Sequence, residues 1–131
     1  MDKKKILIVD DDMDTRLVLE KGLSAEGYAV IAAYNGNNAL SLVSSKPPDL
    51  IILDSVLGDM PGEEVATKLR EDPKTKNIPI IFLSALFSKK EVNEVEKGHV
   101  FDDVKMFAKP YDMEKLLTAI EELLSVLAAK A

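Results

Sequence analysis

Residues 6–9, 50–53 and 80–83 are unbroken runs of apolar side chains. A strand with one wet face alternates apolar and polar positions, whereas a strand covered on both faces does not. These runs therefore predict a buried parallel sheet. Weaker strand patterns fit residues 29–33, after Gly27 closes a helix, and residues 104–108, just before Lys109 and Pro110. Helical patterns separate the strands: residues 15–26, residues 38–45 stopped by Pro47 and Pro48, residues 63–71 stopped by Pro73, and residues 89–97. In the last segment Met113, Leu116, Leu117, Ile120, Leu123, Leu124 and Leu127 fall on one helical stripe behind an Asp112 cap, as in a helix with a single apolar face. Strand and helix alternate throughout. Right-handed crossovers leave few ways to wind such a chain, so the expected fold is an open α/β sandwich on five strands.

Composition narrows the setting. With 131 residues, 47% of them hydrophobic, the chain suits one compact domain, residues 1–131, that buries roughly two-thirds of its unfolded surface. Seventeen basic residues against 23 acidic give a net charge of -6, which builds no positive field for a phosphate backbone. Direct nucleic-acid binding is not expected. The absence of cysteine removes disulfides, thiolate chemistry and cysteine-ligated zinc, and a reducing cytoplasm is the simplest home. The apolar run that follows Lys3, Lys4 and Lys5 stops at Val9, too short for a signal-peptide core, and no segment reads as a membrane span.

Candidate chemistry collects at strand ends. Asp10, Asp54, Ser84 and Lys109 each follow directly on an apolar strand pattern. In an open parallel sheet the carboxyl ends of the strands share one edge, and ligands bind in the crevice outside them. Asp10, Asp11, Asp54, Ser84 and Lys109 should therefore meet in space. Two like unit charges about 4 Å apart repel by roughly 4 kcal/mol at an effective dielectric near 20, so three carboxylates need neutralising. Lys109 offsets one charge, and a hard divalent cation with oxygen ligands, Mg²⁺ above all, suits the rest. One carboxylate is then free to attack phosphorus, a reaction that asks mainly for positioning and charge neutralisation.

With these residues in view, the sequence resembles the receiver domain of the two-component response regulators along nearly its whole length. The resemblance rests on Asp10-Asp11 after the first strand, Asp54 after the third, Ser84-Ala85 after the fourth and Lys109-Pro110 after the fifth. It implies a flavodoxin-like (βα)5 open sandwich with strand order 2-1-3-4-5. It also implies that Asp54 is the phosphoacceptor, Asp11 a direct Mg²⁺ ligand, Asp10 a ligand through water, and the Val56 main-chain carbonyl the remaining protein ligand. Ser84 would bind a phosphoryl oxygen and shift on activation, and Lys109 would pair with the phosphoryl group before a cis bond to Pro110. The expected partners are a histidine kinase or histidine phosphotransfer protein as donor and a downstream protein or effector domain as target. Such a chain is a regulatory domain rather than an enzyme, although it assists its own phosphorylation and dephosphorylation. Its expected output face combines residues 89–97, strand 104–108 and the last helix.

Several positions depart from the family pattern. Met106 stands where Tyr or Phe is usual, which puts an aromatic read-out in question. Gly58 stands four residues after Asp54 where Pro is usual, with Pro61 displaced, so the loop that ends at Gly62 is expected to be looser. From Leu86 to Lys105 the usual small-residue pattern is hard to find. Two other functions share some of these residues. A pseudo-receiver would bind partners without turnover, which Met106 would permit but the intact acids and lysine oppose. A haloacid-dehalogenase-like phosphatase would use Asp10-x-Asp12, yet Asp14 occupies its usual Thr or Val position and no apolar strand precedes Asp102-Asp103. A flavodoxin proper is excluded, because the first loop offers carboxylates where a phosphate needs amides and hydroxyls.

Plainer roles account for the remaining polar residues. Asp12 and Asp14 suit a helix cap and its first-turn dipole. His99 has no partner for metal or acid-base work, and Glu91, Glu94 and Glu96 suit a solvated helix face.

Overall fold

All five expected strands form in the computed structural model, which describes residues 3–84, 104–108 and 111–130. They are β1 (Lys5–Val9), β2 (Ala29–Ala33), β3 (Leu50–Leu53), β4 (Ile80–Ser84) and β5 (Val104–Ala108). The helices among the described residues are α1 (Met13–Ala25), α2 (Gly36–Ser45), α3 (Gly62–Glu71) and α4 (Met113–Lys130). The helix expected over residues 89–97, with Glu91, Glu94, Glu96 and His99, lies outside the described residues.

Every strand pairing is parallel and the order is β2-β1-β3-β4-β5, the flavodoxin-like winding. The unbroken apolar runs have a direct cause, because alternate residues of each strand serve opposite layers. Ile6, Ile8, Leu50, Ile52, Ile81 and Leu83 pack with Leu19 and Leu23 of α1 and with Leu116, Ile120 and Leu123 of α4. Leu7, Val9, Ile51, Leu53, Ile80 and Phe82 pack with Ala39 and Val43 of α2 and with Val65 and Leu69 of α3. Each fully buried Leu or Ile contributes about 1.5–3 kcal/mol, so a polar residue in any run would be felt in one layer or the other. No described helix is long and apolar enough to cross a membrane.

Three helices start upstream of the hydrophobic pattern, two of them because a polar side chain caps the helix. α1 begins at Met13 rather than at residue 15, because Asp12 takes the N-cap and its carboxylate accepts the Asp14 N–H at 3.1 Å and the Thr15 hydroxyl at 3.0 Å. In the same way α2 begins at Gly36 rather than at residue 38, since Asn35 accepts the Asn38 N–H at 2.8 Å. α3 starts one residue early, at Gly62 behind Pro61. The Asp112 cap of α4 forms as expected, with the Glu114 N–H at 2.9 Å. At the far end of α1, Gly27 adopts a φ of 93°. Its N–H reaches the Ser24 carbonyl while the Tyr28 N–H reaches that of Leu23, a helix stop that needs the left-handed region open to glycine.

This winding changes direction between β1 and β3, so the connections leaving their carboxyl ends diverge and open a crevice there. Asp10 and Asp54 are the next residues of those two strands.

Candidate functional site

The sheet ladder runs one residue beyond each assigned strand end. The Asp10 N–H donates to the Ala33 carbonyl at 3.2 Å, and the Asp54 N–H donates to the Val9 carbonyl at 3.0 Å. Two aspartates on neighbouring strands are thereby held at one sheet edge, and Asp11 follows on the loop. Carboxylate oxygens of Asp10, Asp11 and Asp54 lie within 4.8 Å of one another. Asp10 is 3% exposed and Asp54 8%, while Asp11 is open to solvent. The cluster thus has two buried members and one at its mouth.

Buried carboxylates need hydrogen bonds to offset lost hydration. One carboxylate oxygen of Asp10 accepts the Asp12 N–H at 2.9 Å, and one of Asp54 accepts the Val56 N–H at 3.0 Å. Arg16, one turn into α1, donates from Nη1 to the Asp10 main-chain carbonyl at 2.6 Å. That bond pins the end of β1 to the first helix and brings a guanidinium to the side of the acidic cluster.

The loop after Asp54 is anchored at several points. Val56 and Pro61 form an antiparallel bridge, and the Gly62 N–H donates to the Ser55 carbonyl at 2.9 Å. Leu57 is buried against α2 and α3. Asp59 reaches across to α2, where its two carboxylate oxygens accept the Gly36 and Asn37 N–H groups at 2.8 Å each. These backbone bonds hold the Asp59 carboxyl below its ordinary value of 3.8, led by the Asn37 amide and then that of Gly36. Gly58 removes the rigidity of a proline, but the loop around it is tied at both sides. Gly62 is needed where α3 begins, because an added Cβ would overlap the Asp54 carbonyl.

The other expected site residues are placed as follows. Ser84 is the last residue of β4, paired in register with Ala108 of β5, so its main chain ends at the same sheet edge. Lys109, Pro110 and Leu86 lie outside the described residues, although Ala108 brings β5 to that edge as well. The Val56 side chain is 49% exposed. Met106 pairs with Phe82 and packs, partly buried, on the α2 and α3 side of the sheet. Asp59 and Arg16 carry no sequence signal that ties them to the site, since their bonds depend on which helix end lies beside which loop.

A cluster of hard oxygen donors of this size suits a divalent cation of the Mg²⁺ or Ca²⁺ kind, whose ligands are carboxylates, carbonyls and water. The sequence pattern of the response regulator receiver domain matches residues 6–121. The chain belongs to the response regulator receiver domain family. Receiver domains are regulatory phosphoacceptors of two-component systems and bind Mg²⁺ at an acidic pocket, and the Asp10, Asp11 and Asp54 cluster is such a pocket in composition.

Among relatives, this receiver is 32% identical over 124 residues to sporulation initiation phosphotransferase F of Bacillus subtilis, covering 95% of this chain and 96% of that one. It is 34% identical over 126 residues to the response regulator PleD of Caulobacter vibrioides, covering 91% of this chain but only 28% of PleD. Among solved structures, a CheY-like receiver domain protein from Methanospirillum hungatei superposes with a TM-score of 0.83 at 26% identity, covering 99% of this chain and 100% of the other. Chemotaxis protein CheY4 of Vibrio cholerae gives a TM-score of 0.79 at 27% identity, over 93% of this chain and 99% of the other.

Proposed function

We propose that this receiver is a phosphoacceptor switch in which Asp54 takes a phosphoryl group from a histidine kinase or histidine phosphotransfer protein and signals through a changed surface. The observation that carries the reading is the convergence of the Asp10, Asp11 and Asp54 carboxylates within 4.8 Å at the switch point of the sheet. A carboxylate oxygen of Asp54 attacks phosphorus, the bond from phosphorus to the donor nitrogen breaks, and that electron pair stays on the donor imidazole. Asp10, Asp11, Asp54 and the Val56 carbonyl would hold Mg²⁺, which supplies positive charge against the phosphoryl oxygens. Lys109 would neutralise a further phosphoryl charge, and the Ser84 hydroxyl would donate to a phosphoryl oxygen. The Val56 N–H bond at 3.0 Å orients the Asp54 carboxylate before the donor arrives.

In this reading residues 1–131 form one receiver domain working in the cytoplasm, with a separate protein or an effector domain as its target. Incubation with acetyl phosphate and Mg²⁺, followed by intact mass, tests the assignment. One phosphoryl group should add to the wild type and none to Asp54→Asn. Equal labelling of the two proteins would reject it.

A further inference from the structure

The loop that joins β3 to α3 carries two groups of the proposed metal site, the Asp54 carboxylate at its start and the Val56 carbonyl two residues on. Two sets of bonds shape this loop from within: Asp54 with Val56, and the Val56 to Pro61 bridge with the Gly62 to Ser55 hydrogen bond beside it. Asp59 does something different. Its carboxylate takes the first two N–H groups of α2, Gly36 and Asn37, at 2.8 Å each, across 23 and 22 residues of sequence.

α2 is not short of a cap. Asn35 already serves the Asn38 N–H, and Asp59 satisfies the two donors that Asn35 leaves. The first turn of α2 contains no acidic residue of its own, so the Asp59 charge is the one that meets the positive end of the helix dipole. The position of α2 is set in turn by Ala39 and Val43, which pack in one cluster with Val9 and Leu53. Those two residues immediately precede Asp10 and Asp54. The hook therefore ties the loop to a helix registered on the same strand ends that present the carboxylates. Next to it, Gly58 has no side chain to restrict its backbone, and an added Cβ there would enter open space. A loop with a glycine at this point depends more on an external anchor than one with a proline would.

We propose that Asp59, through its bonds to the Gly36 and Asn37 amides, is a positioning residue that holds the loop at the acidic cluster and thereby sets the affinity for the divalent cation. The inference rests on the reading that Asp10, Asp11, Asp54 and the Val56 carbonyl bind Mg²⁺. Asp59 touches neither the cation nor a phosphoryl group. It acts through the loop, as outer groups around metal sites do, where their loss typically weakens binding about 10-fold to 100-fold.

The experiment compares the wild type with Asp59→Ala, Asp59→Asn and Asn35→Ala, as full chains kept well below their melting temperatures. Mg²⁺ dissociation constants are measured by titration, and amide hydrogen exchange is followed at Val56 and Gly62. Asp59→Ala should weaken Mg²⁺ binding about 10-fold and speed exchange at both amides. Asp59→Asn should recover part of the affinity, because its amide oxygen still accepts one of the two bonds. Asn35→Ala removes the other cap of α2, so it should lower the melting temperature yet leave the Mg²⁺ constant and both exchange rates unchanged. An Asp59→Ala constant equal to wild type overturns the inference alone. Equal weakening by Asn35→Ala also overturns it, since a loosened α2 would then suffice. A wild type without Mg²⁺ binding rejects the underlying site reading, and the inference falls with it.

Discussion

Gly62 lies so close to Asp54 that an added Cβ would overlap the main-chain carbonyl of the aspartate and crowd the Ser55 Cα. Backbone atoms at the start of a helix cannot swing aside as a flexible side chain can. Gly62→Ala should therefore cost about 1–3 kcal/mol, the usual range for overpacking, and should displace the loop beside the acidic cluster. Gly58→Ala is the matched control, because its Cβ enters open space, and its effect should stay within about 0.5 kcal/mol. Urea unfolding of the two variants checks the contrast, and equal stabilities would contradict the tight approach.

Crowded carboxylates make the folded state a better cation binder than the unfolded chain. A ligand that binds only the folded form stabilises it by about 2.7 kcal/mol at a hundred times its dissociation constant. Millimolar Mg²⁺ should raise the melting temperature of the wild type by several degrees. Asp11→Asn, at the exposed mouth of the cluster, should lose most of that rise. A full Mg²⁺ response in this variant would place the cation elsewhere.

Acid should release the Asp59 hook. Hydrogen bonds from Asn37 and Gly36 hold this carboxyl below its ordinary value of 3.8, so the folded state binds the proton less readily than the unfolded chain. The stability it supplies is complete above the ordinary value and is lost as pH falls through the depressed one. The stability difference between wild type and Asp59→Asn should be flat near neutrality and shrink only in that acid range. The variant comparison, rather than the wild-type curve, is the measurement that decides, because it isolates the one carboxyl that differs. A difference that already narrows near neutral pH would show that the hook is not the cause.

Loss of the phosphoryl group requires a water held in line with the departing carboxylate. The exposed Val56 side chain offers that water no hydrogen bond, and Leu86, outside the described residues, is equally apolar. Slow self-dephosphorylation is expected. Val56→Asn and Leu86→Glu, alone and combined, should shorten the lifetime of the phosphorylated protein, as followed by intact mass after removal of the donor. Indistinguishable decay in all four proteins would show that these positions do not govern access of water.

The unbroken apolar runs at β1, β3 and β4 are enough to read a parallel sheet covered on both faces, since only burial on two sides tolerates such runs. In such a sheet the aspartates after β1 and β3 have to share an edge, which makes Asp10, Asp11 and Asp54 legible as a cluster from the sequence alone. The receiver pattern in the same residues adds the strand order. Helix starts are less legible. The apolar stripe marks where a helix is buried, whereas Asp12 and Asn35 begin α1 and α2 upstream of it through polar bonds that leave no periodic trace. Arg16 on the Asp10 carbonyl and Asp59 on the Gly36 and Asn37 amides are not legible at all. Periodicity records which face of an element meets the core, a property of neighbouring residues. Which donor meets which acceptor, six residues away for Arg16 and 22 or more for Asp59, depends on how helices and loops settle on the sheet, and only the packed molecule decides that.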